Sequence, residues 1–431
     1  MRLSEAAQIV GGHHMGDDVA FSAVSTDTRQ INSGDLFVAL KGPNFDGNEF
    51  ALRSMSAGAC GVIVEREFAA QVPAVVVNDS LQALQKLSSE WRLRCDAVIA
   101  GVTGSNGKTT VKEMLASILT GAGKTLKTQG NLNNHIGVPL TLLRLQDERY
   151  AVIEMGANHP GEISQLAKLA NVDVAIVTNC ADAHLEGFGS REGVAHAKGE
   201  LFETLKPTGT AIINFDDPFN ALWRELAGGR RVIGFGFDLK ADVRADLNAD
   251  GTWQMKTPAG SFVLNLPLPG RHNVQNALAA TAAAVAMEID LAVISEGLTS
   301  VSQVGGRLRF EDGLQGSRVI DDTYNANFAS FAAAIDVLIN QPGKHWLVMG
   351  DMAELGADSA RLHSDLGQLA RREGIERLYA CGPLSRHAAE AFGDGARHYE
   401  NQNSMLGDLT SDLTESVTVL VKGPAVCKWS G

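Results

Sequence analysis

Ile99-Ala100-Gly101-Val102-Thr103-Gly104-Ser105-Asn106-Gly107-Lys108-Thr109-Thr110 is the stretch on which the reading of this chain turns. The apolar run 97–100 predicts a buried strand, and 111–119 follows with helical spacing. A strand, a glycine turn and a helix opening with Lys-Thr make the layout of a phosphate cradle. Backbone N–H groups and the helix N-terminus face phosphates, Lys108 adds a point charge, and the Thr109 hydroxyl can reach Mg²⁺. The strict P-loop pattern has glycine where Val102 stands, and Gly101 comes one residue early. An ordinary strand–helix turn is the plainer reading. Three glycines in seven residues, with a strand before and a helix after, favour a nucleoside triphosphate site.

The rest of the chain bounds what such a site serves. At 431 residues the chain exceeds one typical core, so two or three domains are expected. A hydrophobic content of 45% and a charged content of 20% are those of an ordinary globular protein. The formal net charge of −13 argues against a nucleic-acid binder. It also means that anionic ligands are held by local Arg, Lys, Mg²⁺ and helix N-termini against the overall field. Cys60, Cys95, Cys180, Cys381 and Cys427 are scattered without metal-ligand spacing and read as reduced thiols. The N-terminus lacks the apolar core of a signal peptide, and no stretch reaches bilayer-spanning length. A cytoplasmic protein without membrane insertion is expected, and a monomer.

Three α/β units follow from the alternation of apolar runs and helical patterns. The first, 1–79, is small, with strands at 35–40, 61–64 and 74–77 and a helix at 51–57. A helical pattern at 81–92 leads into the second, 80–308, whose strands at 151–153, 174–177 and 210–214 predict a mostly parallel sheet covered on both faces. An alternating, Pro-rich run at 262–268 predicts an antiparallel edge, and the Ala-rich 276–287 a helix. The third, 309–431, has strands at 318–320, 345–349, 376–380 and 417–421 in a doubly wound, Rossmann-like pattern.

Ligands in such sheets collect at the carboxyl ends of strands. Glu154 closes one strand and suits Mg²⁺, although a solvated strand-end carboxylate fits the spacing equally well. His184 lies on the loop after another strand, where a structural histidine is the alternative. Lys198 sits on a helix just downstream, and its spacing alone marks nothing. Asn273 opens the Ala-rich helix and could cap it or contact a base. Arg307, after two glycines at the second boundary, could swing onto a phosphate. The loop Asp321-Asp322-Thr323-Tyr324-Asn325-Ala326-Asn327 is dense in hydrogen-bonding groups.

Taken together, these residues resemble the Mur ligase family, ATP-dependent enzymes that form the amide bonds of the peptidoglycan peptide stem. The resemblance covers nearly the whole chain, and Thr103 to Thr110 resembles that family's own phosphate loop. Gly130-Asn131-Leu132-Asn133-Asn134-His135, Glu154-Met155-Gly156-Ala157, Asp322-Thr323-Tyr324-Asn325-Ala326-Asn327 and Gly350-Asp351-Met352-Ala353-Glu354 point to the branch that adds D-alanyl-D-alanine to UDP-N-acetylmuramoyl-tripeptide. The resemblance implies ATP on Gly104, Ser105, Asn106, Gly107, Lys108, Thr109, Thr110, Asn273, Arg307, Asp322 and Tyr324. It implies one Mg²⁺ on Thr109 and Glu154 and a second on His184 and a carbamylated Lys198, with Lys108, Glu154, His184 and Lys198 carrying the chemistry. Ser25 and Thr26 would hold the UDP end of the acceptor; Asn133, Asn134 and Asn327 would serve the acceptor or dipeptide. Three departures stand out: Asn48 replaces a common His, Phe328 replaces a Pro, and 424–431 lacks the usual Ser-Arg and last helix. A ligase-like ATP-binding module without catalysis, or an amide ligase with another acceptor, are the alternatives.

Overall fold

The computed structural model describes residues 1–65, 72–182, 185–303 and 305–423. Three main sheets lie in chain order, and Lys41–Gly42 and Phe45–Asp46 form a further two-stranded sheet in the first unit. The first has the order His13–Met15, Ala74–Val76, Gly61–Val64, Asp35–Val38, Ala23–Ser25, parallel except at its first pair. The central sheet has nine strands. Thr125–Lys127, Tyr150–Glu154, Val98–Thr103, Val174–Val177, Thr210–Asn214, Arg231–Gly236 and Val243–Leu247 run parallel. Trp253–Thr257 and Gly260–Leu264 then close one edge as an antiparallel ribbon. In the third sheet Arg318–Asp322, Val417–Lys422, Lys344–Gly350, Arg377–Cys381 and Ala396–Tyr399 run parallel, and Arg309–Asp312 pairs antiparallel at the edge.

The central strands are buried on both faces, and their side chains divide with the period of two that a strand imposes. Ala100, Val102, Val152, Ile176 and Ile212 pack under the helices Lys108–Ala122 and Arg271–Ala286. Ile99, Ile153, Val177 and Ile213 pack under Glu162–Ala170, Arg191–Glu203 and Asn220–Ala227. The chain leaves Val98–Thr103 for one side, returns to pair beside it, and then crosses to the other. The carboxyl end of Val98–Thr103 is therefore the topological switch point, where crevices form in open sheets.

Some bounds differ from the sequence reading. The edge strand stops at Leu264 rather than running to 268, because Pro267 and Pro269 have no N–H for the ladder. The Ala-rich helix starts at Arg271, five residues earlier than its apolar pattern, after Gly270 at φ +93°. The helix Ser80–Leu93 is capped by Asp79, whose carboxylate accepts from Gln82 N. It joins two units. Ala83, Leu84 and Leu87 complete the first unit's core, while the Trp91 indole donates to Leu145 O at 2.8 Å and Arg92 to Ala170 O at 2.9 Å.

Candidate active site

The phosphate loop is shaped by two glycines with no room for a side chain. A Cβ on Gly104 (φ +144°) would lie 1.9 Å from Thr178 Oγ1, and one on Gly107 (φ +80°) 2.3 Å from Asn276 Oδ1. The end of the neighbouring strand clasps the loop. Ser105 N donates to Asn179 O and Asn106 N to Asn179 Oδ1, both at 3.0 Å, while Thr178 Oγ1 donates to Asn106 O at 2.6 Å. The amides of Ser105 and Asn106 are thus engaged within the sheet. The anion-facing N–H groups are those of the next turn, since the helix Lys108–Ala122 begins with no side-chain cap. Lys108 folds back, donating to Gly104 O at 2.7 Å and Ser105 O at 3.2 Å. Burial pulls its pKa below the ordinary lysine value, Glu154 opposes that and Arg307 adds to it.

This loop forms one wall of a cavity of about 750 Å³ between the central and third units. Ser105, Asn106, Gly107, Lys108, Thr109, Thr110, Asn133, Asn134, Glu154, Lys198, Asn273, Arg307, Asp322 and Tyr324 all line it. Gly104, Asn327, Ser25 and Thr26 do not. Gly104 shapes the loop from behind. Ser25 and Thr26 belong to the first unit, where the Ser25 hydroxyl and Asp27 N meet at 3.2 Å. His184 lies outside the described residues, as does 424–431.

Glu154 is 1% exposed and fully engaged. Its Oε2 accepts from Thr109 Oγ1 and its Oε1 from Asn133 Nδ2, each at 2.9 Å. Arg307 Nη2 donates to Thr109 Oγ1 at 2.8 Å, and its guanidinium lies 4.0 Å from the centroid of the Tyr324 ring. Asn134 Oδ1 accepts from Gly137 N at 2.9 Å, at the start of the helix Gly137–Leu142. Asn327 caps the helix Phe328–Ile339 and exchanges amide hydrogen bonds with Asn106 at 2.7 and 3.3 Å, tying the third unit to the phosphate loop. Lys422, 2% exposed, pairs with Asp322 and donates to Asn325 O at 3.0 Å, fixing that loop from below.

Lys198 is 1% exposed and lies 5.4 Å from the Phe188 ring centroid. Burial, then the charge of Lys108, lower its pKa to about 7. Beside it, burial and Asp217 push the Cys180 thiol up to about 12. Burial also lowers the pKa of His272, on the opposite wall. The sequence reading missed Glu113, Arg191, His272 and Lys422 in the lining and Lys112 behind it. Only Lys112 carried a local signal, one helical turn after Lys108.

The chemistry of the site suits a nucleotide with Mg²⁺. Among the described residues no three His, Cys, Asp or Glu side chains form a metal cage. A hydroxyl and a carboxylate at hydrogen-bond distance beside a phosphate loop fit Mg²⁺, which takes few protein ligands and shares phosphate oxygens and water. No helix among those residues is long and apolar enough to cross a membrane.

Family models match three segments: the Mur ligase family catalytic domain at 20–92, the Mur ligase middle domain at 102–284, and the Mur ligase glutamate ligase domain at 306–425. The chain is 43% identical over 98% of its length, and 95% of the other protein's, to UDP-N-acetylmuramoyl-tripeptide--D-alanyl-D-alanine ligase of Escherichia coli (strain K12). It matches a crystal structure of MurF from Acinetobacter baumannii with TM-score 0.92 and 37% identity, covering 99% of this chain and 96% of that one. For MurF ligase of Thermotoga maritima in complex with ADP the values are 0.82 and 28%, covering 94% and 95%. Three matched segments in order, nearly full coverage and a phosphate loop at the switch point lead to one assignment: the chain belongs to the Mur ligase family.

Proposed function

We propose that this chain is an ATP-dependent ligase that joins D-alanyl-D-alanine to UDP-N-acetylmuramoyl-tripeptide in peptidoglycan precursor synthesis. The observation that carries the reading is the pairing of Thr109 and Glu154 beside the phosphate loop, in a chain 43% identical over 98% of its length to a ligase of that name. The acceptor carboxylate attacks the γ-phosphorus of ATP, the bond to the β-phosphate oxygen breaks, and ADP leaves an acyl phosphate. The dipeptide amine then attacks the acyl carbon, loses a proton and expels phosphate. Such transfers need positioning and charge neutralisation above all. Lys108 swings from its loop carbonyls to the β- and γ-phosphates, and the first-turn amides receive them. Asn273, Arg307, Asp322 and Tyr324 hold the rest of the nucleotide.

Mg²⁺ would supply electrostatic stabilisation of the phosphoryl oxygens, held by Thr109 and Glu154. Lys198 as a bare ammonium cannot ligate a cation. Its neutral amine adds to CO₂, a C–N bond forms and one proton leaves, giving an anionic carbamate that suits a second Mg²⁺ together with His184. Burial supports this step: at pH 7 about half of a lysine with a pKa of about 7 is neutral, against about one in three thousand at the ordinary value of 10.5. Ser25 and Thr26 take the UDP end; Asn133, Asn134 and Asn327 serve the acceptor or dipeptide, Asn133 through Glu154. The working units are 1–79, 80–308 and 309–431, each built on one main sheet. We take the chain to act as a cytoplasmic monomer.

The test is phosphate release from ATP with each acceptor and amine, alone and paired. Release that needs both UDP-N-acetylmuramoyl-tripeptide and D-alanyl-D-alanine is expected. Equal release with another pair, or tight ATP binding with none, overturns the reading.

A further inference from the structure

Lys112 is a buried charge beside the site that the proposed chemistry leaves unused. It is 1% exposed and sits one turn beyond Lys108 on the helix Lys108–Ala122. Its Nζ lies 3.7 Å from Glu154 Oε2 and 3.2 Å from Glu113 Oε1. Glu113 pairs in turn with Lys127. Two ammonium groups and two carboxylates therefore close into a formally neutral set that ends on the carboxylate assigned to Mg²⁺. A buried charge persists only when paired, and removing one partner leaves the other uncompensated.

Glu154 does not need Lys112 for its orientation. Thr109 Oγ1 and Asn133 Nδ2 already hold its two oxygens at 2.9 Å. What Lys112 adds is charge. A fixed ammonium beside Oε2 cancels the field of the carboxylate that would otherwise draw in a divalent cation.

We propose that Lys112 is a positioning residue that acts as the resident counter-ion of Glu154, so that a divalent cation is held there only when the nucleotide's phosphates supply further negative charge. This rests on the assignment of Glu154 to Mg²⁺ above. It makes metal uptake conditional on nucleotide, and free Mg²⁺ leaves the site in register for MgATP.

The experiment measures Mn²⁺ binding to the full chain by electron paramagnetic resonance, with and without ADP. The proteins are wild type, Lys112→Met, Lys112→Gln, Lys112→Arg and the double variant Lys112→Met/Glu154→Gln. Removing a unit charge a few ångströms from a divalent ion should tighten nucleotide-free Mn²⁺ binding by about tenfold or more in the Met and Gln variants. The Arg variant, which keeps the charge, should match wild type, and the double variant should lose the gain because Glu154 no longer carries it. Two uncharged variants guard against one that does not fold. Unchanged nucleotide-free binding in a folded Met or Gln variant overturns the inference, provided ADP-dependent binding still requires Glu154. Wild type that binds Mn²⁺ as tightly without ADP as with it also overturns it. ADP-dependent binding that ignores Glu154 overturns both the inference and the metal assignment beneath it.

Discussion

Lys198→Met should stabilise the ligand-free protein, and most at low pH. Burial, then the charge of Lys108, lower the Lys198 ammonium from 10.5 to about 7. In the unfolded chain it returns to about 10.4. Between these values the unfolded chain holds a proton that the folded protein has released, so stability rises with pH across that window. The penalty of keeping this lysine is full below about pH 7 and gone above about pH 10.4. At about 1.36 kcal/mol per unit it amounts to about 5 kcal/mol at pH 6, about 2 at pH 9 and under about 1 at pH 10. Met follows the same unbranched path without the charge, so the stability difference between variant and wild type should trace that curve. The assay is urea unfolding in CO₂-free buffer at each pH. Trp223 serves as the reporter: it packs 6.5 Å from Phe202 and donates to Ala195 O, both on the helix that carries Lys198. Bicarbonate should then stabilise wild type and leave the variant unmoved, because only wild type has the amine that binds CO₂. A difference that stays flat from pH 6 to 10, or that grows with pH, would refute the reasoning.

Glu154→Ala should lower turnover by about 100-fold or more in a phosphate-release assay, through loss of a group that neutralises charge during transfer; turnover near wild type at ordinary Mg²⁺ makes it a bystander. Arg307→Lys should weaken ADP binding about tenfold by calorimetry, since lysine cannot both reach Thr109 Oγ1 and stack on Tyr324; unchanged affinity removes Arg307 from the nucleotide site. Asn106→Ala removes both cross-unit amide bonds, worth about 1–3 kcal/mol together. The midpoint of urea unfolding should fall accordingly, and an unshifted midpoint counts against the contact as a tie between the two units.

The strands that carry the site were legible because each is an apolar run ending in a polar residue, as at Ile153-Glu154 and Val177-Thr178. Short, charged edge strands such as Arg309–Asp312 and Ala396–Tyr399 have no such run, since an edge exposes one side to water. The phosphate loop was readable from glycine spacing, but the engagement of its Ser105 and Asn106 amides by Asn179 was not, because that contact spans more than 70 residues. Glu154 could be placed at a strand end; that it meets Thr109, Asn133 and Lys112 together is a product of three crossovers. Lys198 had no spacing signal because its character comes from burial, which periodicity on its own helix does not reveal. Asn327 and Asn106, 221 positions apart, lie in different units and share no local pattern.

The helix Ser80–Leu93 also bears on how the chain is made. Its Ala83, Leu84 and Leu87 fill a core that already contains Leu3, Val10, Leu36, Ile63 and Val75. A ribosome that has released only the first unit's five-stranded sheet has released one whose core side is covered by the helix Leu3–Val10 alone. Stable folding of that unit waits until residue 93 has cleared the exit tunnel, and Ile136, Leu140 and Leu143 of the next unit pack on it later still. A fragment cut at residue 79 inherits the same partly covered face. Expression of the first unit alone, for ligand screening or antibody work, therefore calls for a fragment that runs through Leu93 and carries polar residues on the face those three late side chains would have covered.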